Sequence, residues 1–175
     1  MEIMCKIIGI VLVIGATGYF AKDTNDVMEL RLKELTMLYD LLLQLKSELT
    51  YMSMTLPECF HSLSDSFGKP FDEWFNNMLH EMNNERTRSF TYIWNEQLKR
   101  LSDKSALTAD DLNIMSELGD KLGNADVESS AKAIDYVLLR IEERRKHLSS
   151  ELQQKKKMVV SLSLFVGLMT IILLF

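Results

Sequence analysis

Residues 25–52 read NDVMELRLKELTMLYDLLLQLKSELTYM, and this run decides the fold. Met28, Leu32, Leu35, Tyr39, Leu42, Leu45, Leu49 and Met52 recur at steps of three and four, the spacing that places side chains on one face of an α-helix. Glu29, Arg31, Lys33, Asp40, Lys46 and Glu48 fall mostly on the other faces. No proline or glycine interrupts the run. The spacing predicts a long amphipathic helix, and such a helix must bury its stripe against partners. With two prolines and seven glycines in 175 residues, and no alternating strand pattern, those partners are expected to be helices too.

Downstream, Thr55-Leu56-Pro57-Glu58 has the form of a capping box, with proline in the tolerant first turn. Leu56, Phe60, Leu63 and Phe67 give the short helix that follows one buried face, and Gly68-Lys69-Pro70 is expected to end it. Phe71, Trp74, Phe75, Met78, Leu79 and Met82 mark a third helix with an aromatic stripe. After the polar stretch 83–88, Phe90, Ile93, Trp94, Leu98 and Leu101 mark a fourth. Thr108-x-x-Asp111 opens a fifth, with Leu112, Met115, Leu118 and Leu122 inward. Gly123 and Asn124 suit a left-handed C-terminus for it. Asp126 can cap a last helix, with Val127, Ala131, Ile134, Leu138, Ile141, Leu148 and Leu152 inward. No glycine or proline occurs from Val127 to Val166. Short connections make neighbouring helices antiparallel, so residues 23–157 are expected to form a six-helix bundle.

Both ends of the chain are apolar. Residues 158–175 carry no charge and follow Lys155, Lys156 and Lys157. As a helix they would span roughly 27 Å, close to a bilayer core. Residues 3–21 contain one charge, Lys6, near the end where it can snorkel; a cleaved signal peptide, with Ala16-Thr17-Gly18 as its small-residue site, is the competing reading. The fold class read from the pattern is all-α: a six-helix antiparallel bundle with one transmembrane helix at each end, residues 1–22 and 158–175. Ser163, Gly167 and Thr170 share a face of the second span, and Gly9 and Ala16 share one of the first. Small residues so spaced let spans approach closely. Lys22, Arg31 and Lys33 flank the first span and Arg144 to Lys146 with Lys155 to Lys157 the second, all on the bundle side. The positive-inside rule then makes the bundle cytoplasmic and puts both termini outside.

All but one of the 20 Lys and Arg, and all but one of the 25 Asp and Glu, lie between Lys22 and Lys157, for a net charge of −5. A mildly acidic bundle argues against nucleic acid, which selects a concentrated basic face. The run Glu142-Glu143-Arg144-Arg145-Lys146 reads as a solvated face, or as a contact with lipid headgroups. Cys5 and Cys59 are poorly placed to pair with each other, and no motif near Cys59 lowers a thiol pKa, so it reads as a small core residue. His61, His80 and His147 fall on different helices. Asn77-x-x-His80 lacks the carboxylate of a di-iron Glu-x-x-His pair, and no second pair exists. Phosphate loops, nucleophile elbows and zinc-protease motifs are missing. No enzyme, metal or cofactor is expected.

The chain resembles the stage III sporulation protein AB family of endospore-forming bacteria over essentially its whole length. The likeness rests on Gly15-x-x-Gly18-Tyr19, on Glu48-Leu49-x-Tyr51 leading to Leu56-x-Glu58-Cys59-Phe60, and on Lys156-Lys157-Met158 with Leu162 and Gly167. Its most specific part is Leu107-Thr108-x-x-Asp111 with Leu118-Gly119-x-x-Leu122-Gly123-x-x-Asp126. Thr55-Leu56 stands where the family usually has Pro-Leu, Met52 and Ser163 where glycines are common, and Ser130 where glutamine is expected. The resemblance implies a place in the mother-cell membrane facing the forespore, as a multi-pass component of a secretion-like channel. It implies a cytoplasmic secretion-type ATPase and other stage III sporulation membrane proteins as partners, and leaves room for a homo-oligomer. It further implies a bundle similar to the cytoplasmic domains of the F-type inner-membrane proteins of type II secretion. Because the most specific motif surrounds one turn, Gly119, Asp120, Gly123, Asn124 and Asp126 form the candidate partner surface; helix capping alone is the alternative use of that turn. The competing function is a membrane-bound helical sensor that binds a small ligand among its aromatic residues.

Overall fold

The structure is a computed structural model that describes the backbone of residues 2–84, 88–123 and 126–174, and side chains of residues 26–84, 88–123, 126–162 and 165. Among these, six helices follow one another and no strand occurs: α1 Glu2–Tyr51, α2 Leu56–Ser64, α3 Phe71–Asn84, α4 Phe90–Ser102, α5 Ala109–Leu122 and α6 Val127–Leu174. The chain divides into two compact units, Arg31–His147 and a second made of Met1–Leu30 with Leu148–Phe175. Residues 23–30 and 148–157, expected within the bundle, group with the terminal stretches.

Within Arg31–His147, the predicted stripe of α1 is the spine of the core. Leu35, Leu38, Leu41, Leu42, Leu45 and Leu49 are all buried, a wider face than the stripe alone, because other helices cover α1 on more than one side. Phe60 and Leu63 of α2, Phe71, Trp74, Phe75 and Met78 of α3, and Ile93, Trp94, Leu98 and Leu101 of α4 join them, together with Ile114, Met115, Leu118 and Leu122 of α5. Ile134, Val137, Leu138 and Ile141 of α6 complete the core. Lys46 of α1 binds Asp135 of α6 at 2.7 Å, while Arg145 lies 4.9 Å over the Tyr39 ring. Rising numbers on α1 thus meet falling numbers on α6, and the two run antiparallel.

The caps form as the sequence indicates. The Glu58 carboxylate accepts from the Thr55 backbone N–H and hydroxyl, both at 2.7 Å. Asp111 does the same for Thr108, at 2.9 and 2.7 Å. At the head of α6, Asp126 accepts the Ser129 N–H at 2.7 Å.

Four local expectations fail. Met52 and Val127 are 66% and 50% exposed rather than inward, because each extends the periodicity at a helix terminus beyond the last residue that a neighbour covers. α2 stops at Ser64, about a turn short of Phe67: Ser64 and Ser66 hydroxyls donate to the carbonyls of His61 and Ser62, a local competition that serine offers the helix backbone. Gly123 is not left-handed; it caps α5 with φ −70° and ψ −20°, its N–H donating to the Gly119 carbonyl. Arg144 and Arg145, read as part of a solvated or headgroup-facing run, are half-buried and contact other helices, Arg144 at Asp110 and Asp111 and Arg145 at the Tyr39 ring.

In the other unit, Lys155 Nζ donates to Met28 Sδ at 3.0 Å and Lys156 pairs with Glu29 at 2.9 Å, so α1 and α6 are neighbours there; Lys157 is exposed. Beyond the lysines, Met158, Val159, Val160, Leu162 and Phe165 are between 47% and 70% exposed. Among the described residues no helix is long and apolar enough to cross a membrane. The expected spans, residues 3–21 and 158–175, lie largely outside the residues whose side chains are described, and Gly9, Ala16, Ser163, Gly167 and Thr170 lie outside them altogether.

Candidate functional site

The motif from Leu107 to Asp126 builds two different things. At its start, Asp111 is 1% exposed yet sits between two arginines. As the third residue of α5 it is fixed by its own capping box. Both oxygens also accept from Arg31 of α1, the capping Oδ2 from Nε at 2.9 Å and Oδ1 from Nη2 at 3.1 Å. Arg144 of α6 stands 3.4 Å away and also reaches Asp110 at 3.6 Å. Burial works against the Asp111 charge, but the hydrogen bonds from Arg31 and Thr108 outweigh it and hold the carboxyl below the usual aspartate range. One carboxylate therefore fastens the first, fifth and last helices together.

At the other end, Gly119 is buried because α4 and α5 meet there without room for a side chain. A Cβ on Gly119 would overlap the Trp94 ring. That ring is held in turn by its Nε1–H, which donates to the Met115 carbonyl at 2.7 Å. At Gly123, a Cβ would lie 3.0 Å from the Phe90 ring and 3.2 Å from the Thr91 hydroxyl. Of the candidate partner surface, then, Gly119 is an interior contact and Gly123 abuts α4. Asp120 is exposed, Asp126 is exposed and caps α6, and Asn124 lies outside the described residues.

Three further features went unseen in the sequence. Glu34 is 4% exposed and accepts the Ala106 N–H at 2.7 Å, which anchors the loop before α5 to α1; burial pushes its carboxyl up, against the pull of that N–H and of Lys33. Glu48, also buried, accepts from Gln44 at 2.9 Å and from Ser62 at 2.8 Å. Gln97 is 1% exposed in the middle of α4. The sequence carried a partial signal for the first two, charges adjoining the apolar stripe of a buried helix, and none for Gln97.

Cys59 is fully buried. Burial, and then the neighbouring Glu48 charge and its hydrogen bond, push the thiol up to about 12, which leaves it protonated and unreactive at neutral pH. Among the described residues no three His, Cys, Asp or Glu side chains group to hold a metal. The aromatic residues fill space against each other: Phe60–Phe75 centroids are 5.3 Å apart, Phe90–Trp94 5.6 Å and Trp74–Trp94 4.9 Å, the last edge-to-face.

The class these features define is a helical-bundle protein fastened by ion pairs between helices distant in sequence. Residues 6–175 match the family described as Stage III sporulation protein AB. The chain is similar to stage III sporulation protein AB of Bacillus subtilis (strain 168), 23% identical over 171 residues that make up 98% of this chain and 99% of the relative. A solved structure of stage III sporulation protein AB shares the fold, with a TM-score of 0.65 at 19% identity, over 71% of this chain and 97% of that one. The chain belongs to the stage III sporulation protein AB family, whose description names a stage of sporulation rather than a reaction.

Proposed function

We propose that this protein is a membrane-anchored, non-enzymatic adaptor of a sporulation channel, with its helical bundle presented to a cytoplasmic secretion-type ATPase. The observation that carries the membrane part is the exposed run Met158, Val159, Val160, Leu162 and Phe165 directly after Lys155, Lys156 and Lys157. Contiguous apolar surface of that kind marks contact with lipid or with protein, and three lysines at its border match headgroup anchoring. The pairing of Lys156 with Glu29 and of Lys155 with Met28 supports two spans side by side, residues 3–21 and 158–175. Gly9 and Ala16 of one span and Ser163, Gly167 and Thr170 of the other supply their contact faces. The bundle is cytoplasmic and both termini lie outside, in the mother-cell membrane facing the forespore.

The adaptor part draws on membership of the sporulation family. Other stage III sporulation membrane proteins complete the assembly, and exposed Asp120 and Asp126 belong to the surface offered to partners. Crosslinking followed by affinity capture from sporulating cells tests the partner: the secretion-type ATPase is expected among the captured proteins, and its absence with the bait expressed defeats the adaptor reading. Alkaline phosphatase fused after Phe175 tests the topology separately. It should be active, and an inactive fusion in a stable protein reverses the orientation.

A further inference from the structure

We propose that the cleft between α3 and α4 is a binding site for an uncharged carboxamide group, supplied by an asparagine or glutamine side chain of a polypeptide or by a free small amide. The cavity measures about 370 Å³, within the range of small-ligand clefts. Trp74 and Asn77 of α3 and Gln97 of α4 line it, with Glu73, Arg100 and Lys104 around them. Trp74 is 2% exposed and Gln97 1%. Among the described residues, the Trp74 Nε1–H and both amide atoms of Gln97, Nε2 and Oε1, have no hydrogen-bond partner. Buried polar groups are nearly always paired, so three unpaired atoms on two residues that border one cavity, each atom itself covered, call for a ligand that reaches them when the border opens. The contrast with Trp94 is direct: its ring lies 4.9 Å from that of Trp74, and its N–H is satisfied by Met115.

The chemistry of the three atoms selects the ligand. Two donors and one acceptor are on offer. A carboxamide answers all three, because its carbonyl has two lone pairs for the Trp74 and Gln97 N–H groups and its own N–H can donate to Gln97 Oε1. A carboxylate would face Gln97 Oε1 with an acceptor, and an ammonium would face two N–H groups with donors. The nearby charges do not favour an ion either. Glu73 binds Lys104 and Lys69, each at 2.7 Å, and Arg100 stands 3.4 Å from Glu96 and 3.9 Å from Glu81. Entry to the two buried side chains needs only a part of this border to open, and the Glu73–Lys104 pair is exposed enough to part at little cost.

The site lies wholly within residues 70–104 and is probed without any ATPase, so it stands or falls separately from the adaptor reading. The test is ¹⁵N NMR on the full chain in detergent micelles, where two tryptophans give two indole N–H signals and Gln97→Leu assigns the Gln97 side-chain pair. Propionamide should shift the Trp74 indole and the Gln97 pair saturably, and the Trp94 indole less than one-tenth as far. Propionate and propylammonium should produce less than one-fifth of that response, and Gln97→Leu, folded by its amide spectrum, should weaken propionamide binding at least fivefold. A linear, non-saturating shift, an equal response to propionate, or undiminished binding by Gln97→Leu overturns the proposal. Two peptides, acetyl-Ala-Gln-Ala and acetyl-Ala-Ala-Ala as N-methylamides, separate the sources. Tighter binding of the glutamine peptide than of propionamide assigns the site to a polypeptide, and weaker binding assigns it to a free amide.

Discussion

Trp94 and Trp74 sit edge-to-face in one cluster, yet the regions they belong to are built to opposite standards. On the α4–α5 side the ring of Trp94 leaves no room for a Cβ at Gly119, its N–H is bonded, and Asp111 at the head of α5 satisfies two arginines. On the α3–α4 side Trp74 borders a cavity and its N–H, like the Gln97 amide, is unpaired among the described residues. The difference separates residues retained for closure of the fold from residues whose presence costs stability. Cores usually lose such polar groups unless something outside the bundle uses them.

Substitution can break that comparison. The largest effect is expected for Asp111→Ala, which strips a carboxylate from Arg31 and Arg144 and should cost about 3 kcal/mol, read from urea unfolding. The same carboxylate governs the acid limb. Its folded pKa lies below the unfolded one, so its contribution is complete above about pH 4 and is lost as pH falls through the lower folded value. Glu34, raised by burial, has the opposite sign: its cost is relieved as pH falls through its folded value. Asp111→Asn should therefore flatten the loss of stability below about pH 4, and an unchanged acid limb would sink the assignment.

Next comes Gly119→Ala. Alanine is the better helix former, but here the added methyl must displace a hydrogen-bonded indole, for a net loss of about 2 kcal/mol. Trp94→Phe and Trp74→Phe form a matched pair with the same change of volume. The first should cost about 1 kcal/mol more than the second, the worth of one buried hydrogen bond; equal costs would erase the contrast between the two regions. The smallest effect, and the one of opposite sign, belongs to Gln97→Leu, which should raise stability by about 0.5 kcal/mol while weakening propionamide binding at least fivefold. A clear loss of stability would instead make Gln97 a structural residue.

Much of the architecture was legible in the sequence because it is written locally. Six periodic segments and the caps at Thr55, Thr108 and Asp126 depend on neighbours three or four positions away. What could not be read depends on distance along the chain. Asp111 looked like a cap and is one, but nothing near it signals Arg31, 80 residues earlier. Arg144 sat in a run of charges that suggested solvent, and only the packing of α6 beside α5 gives it Asp110 and Asp111. The glycines of the most specific motif pointed to an exposed turn, whereas Gly119 is a contact between helices that sequence pattern alone cannot distinguish from a flexible joint. Gln97 falls between Trp94 and Leu101 on α4 and breaks the apolar pattern without any local cause.

The edge-to-face pair of indoles, 4.9 Å apart, also determines what light reports about this molecule. Both tryptophans of the chain sit in one cluster of α3 and α4, so their ultraviolet emission follows that cluster and is silent about the α1–α6 side, where Lys46 meets Asp135. Far-ultraviolet circular dichroism weights α1 and α6 most heavily, since they are the longest helices. Since more than half of each of these helices belongs to the other unit, melting curves recorded both ways on one sample would compare the tryptophan cluster with helix outside residues 31–147 as well, and their coincidence would mark the chain as cooperative beyond that cluster.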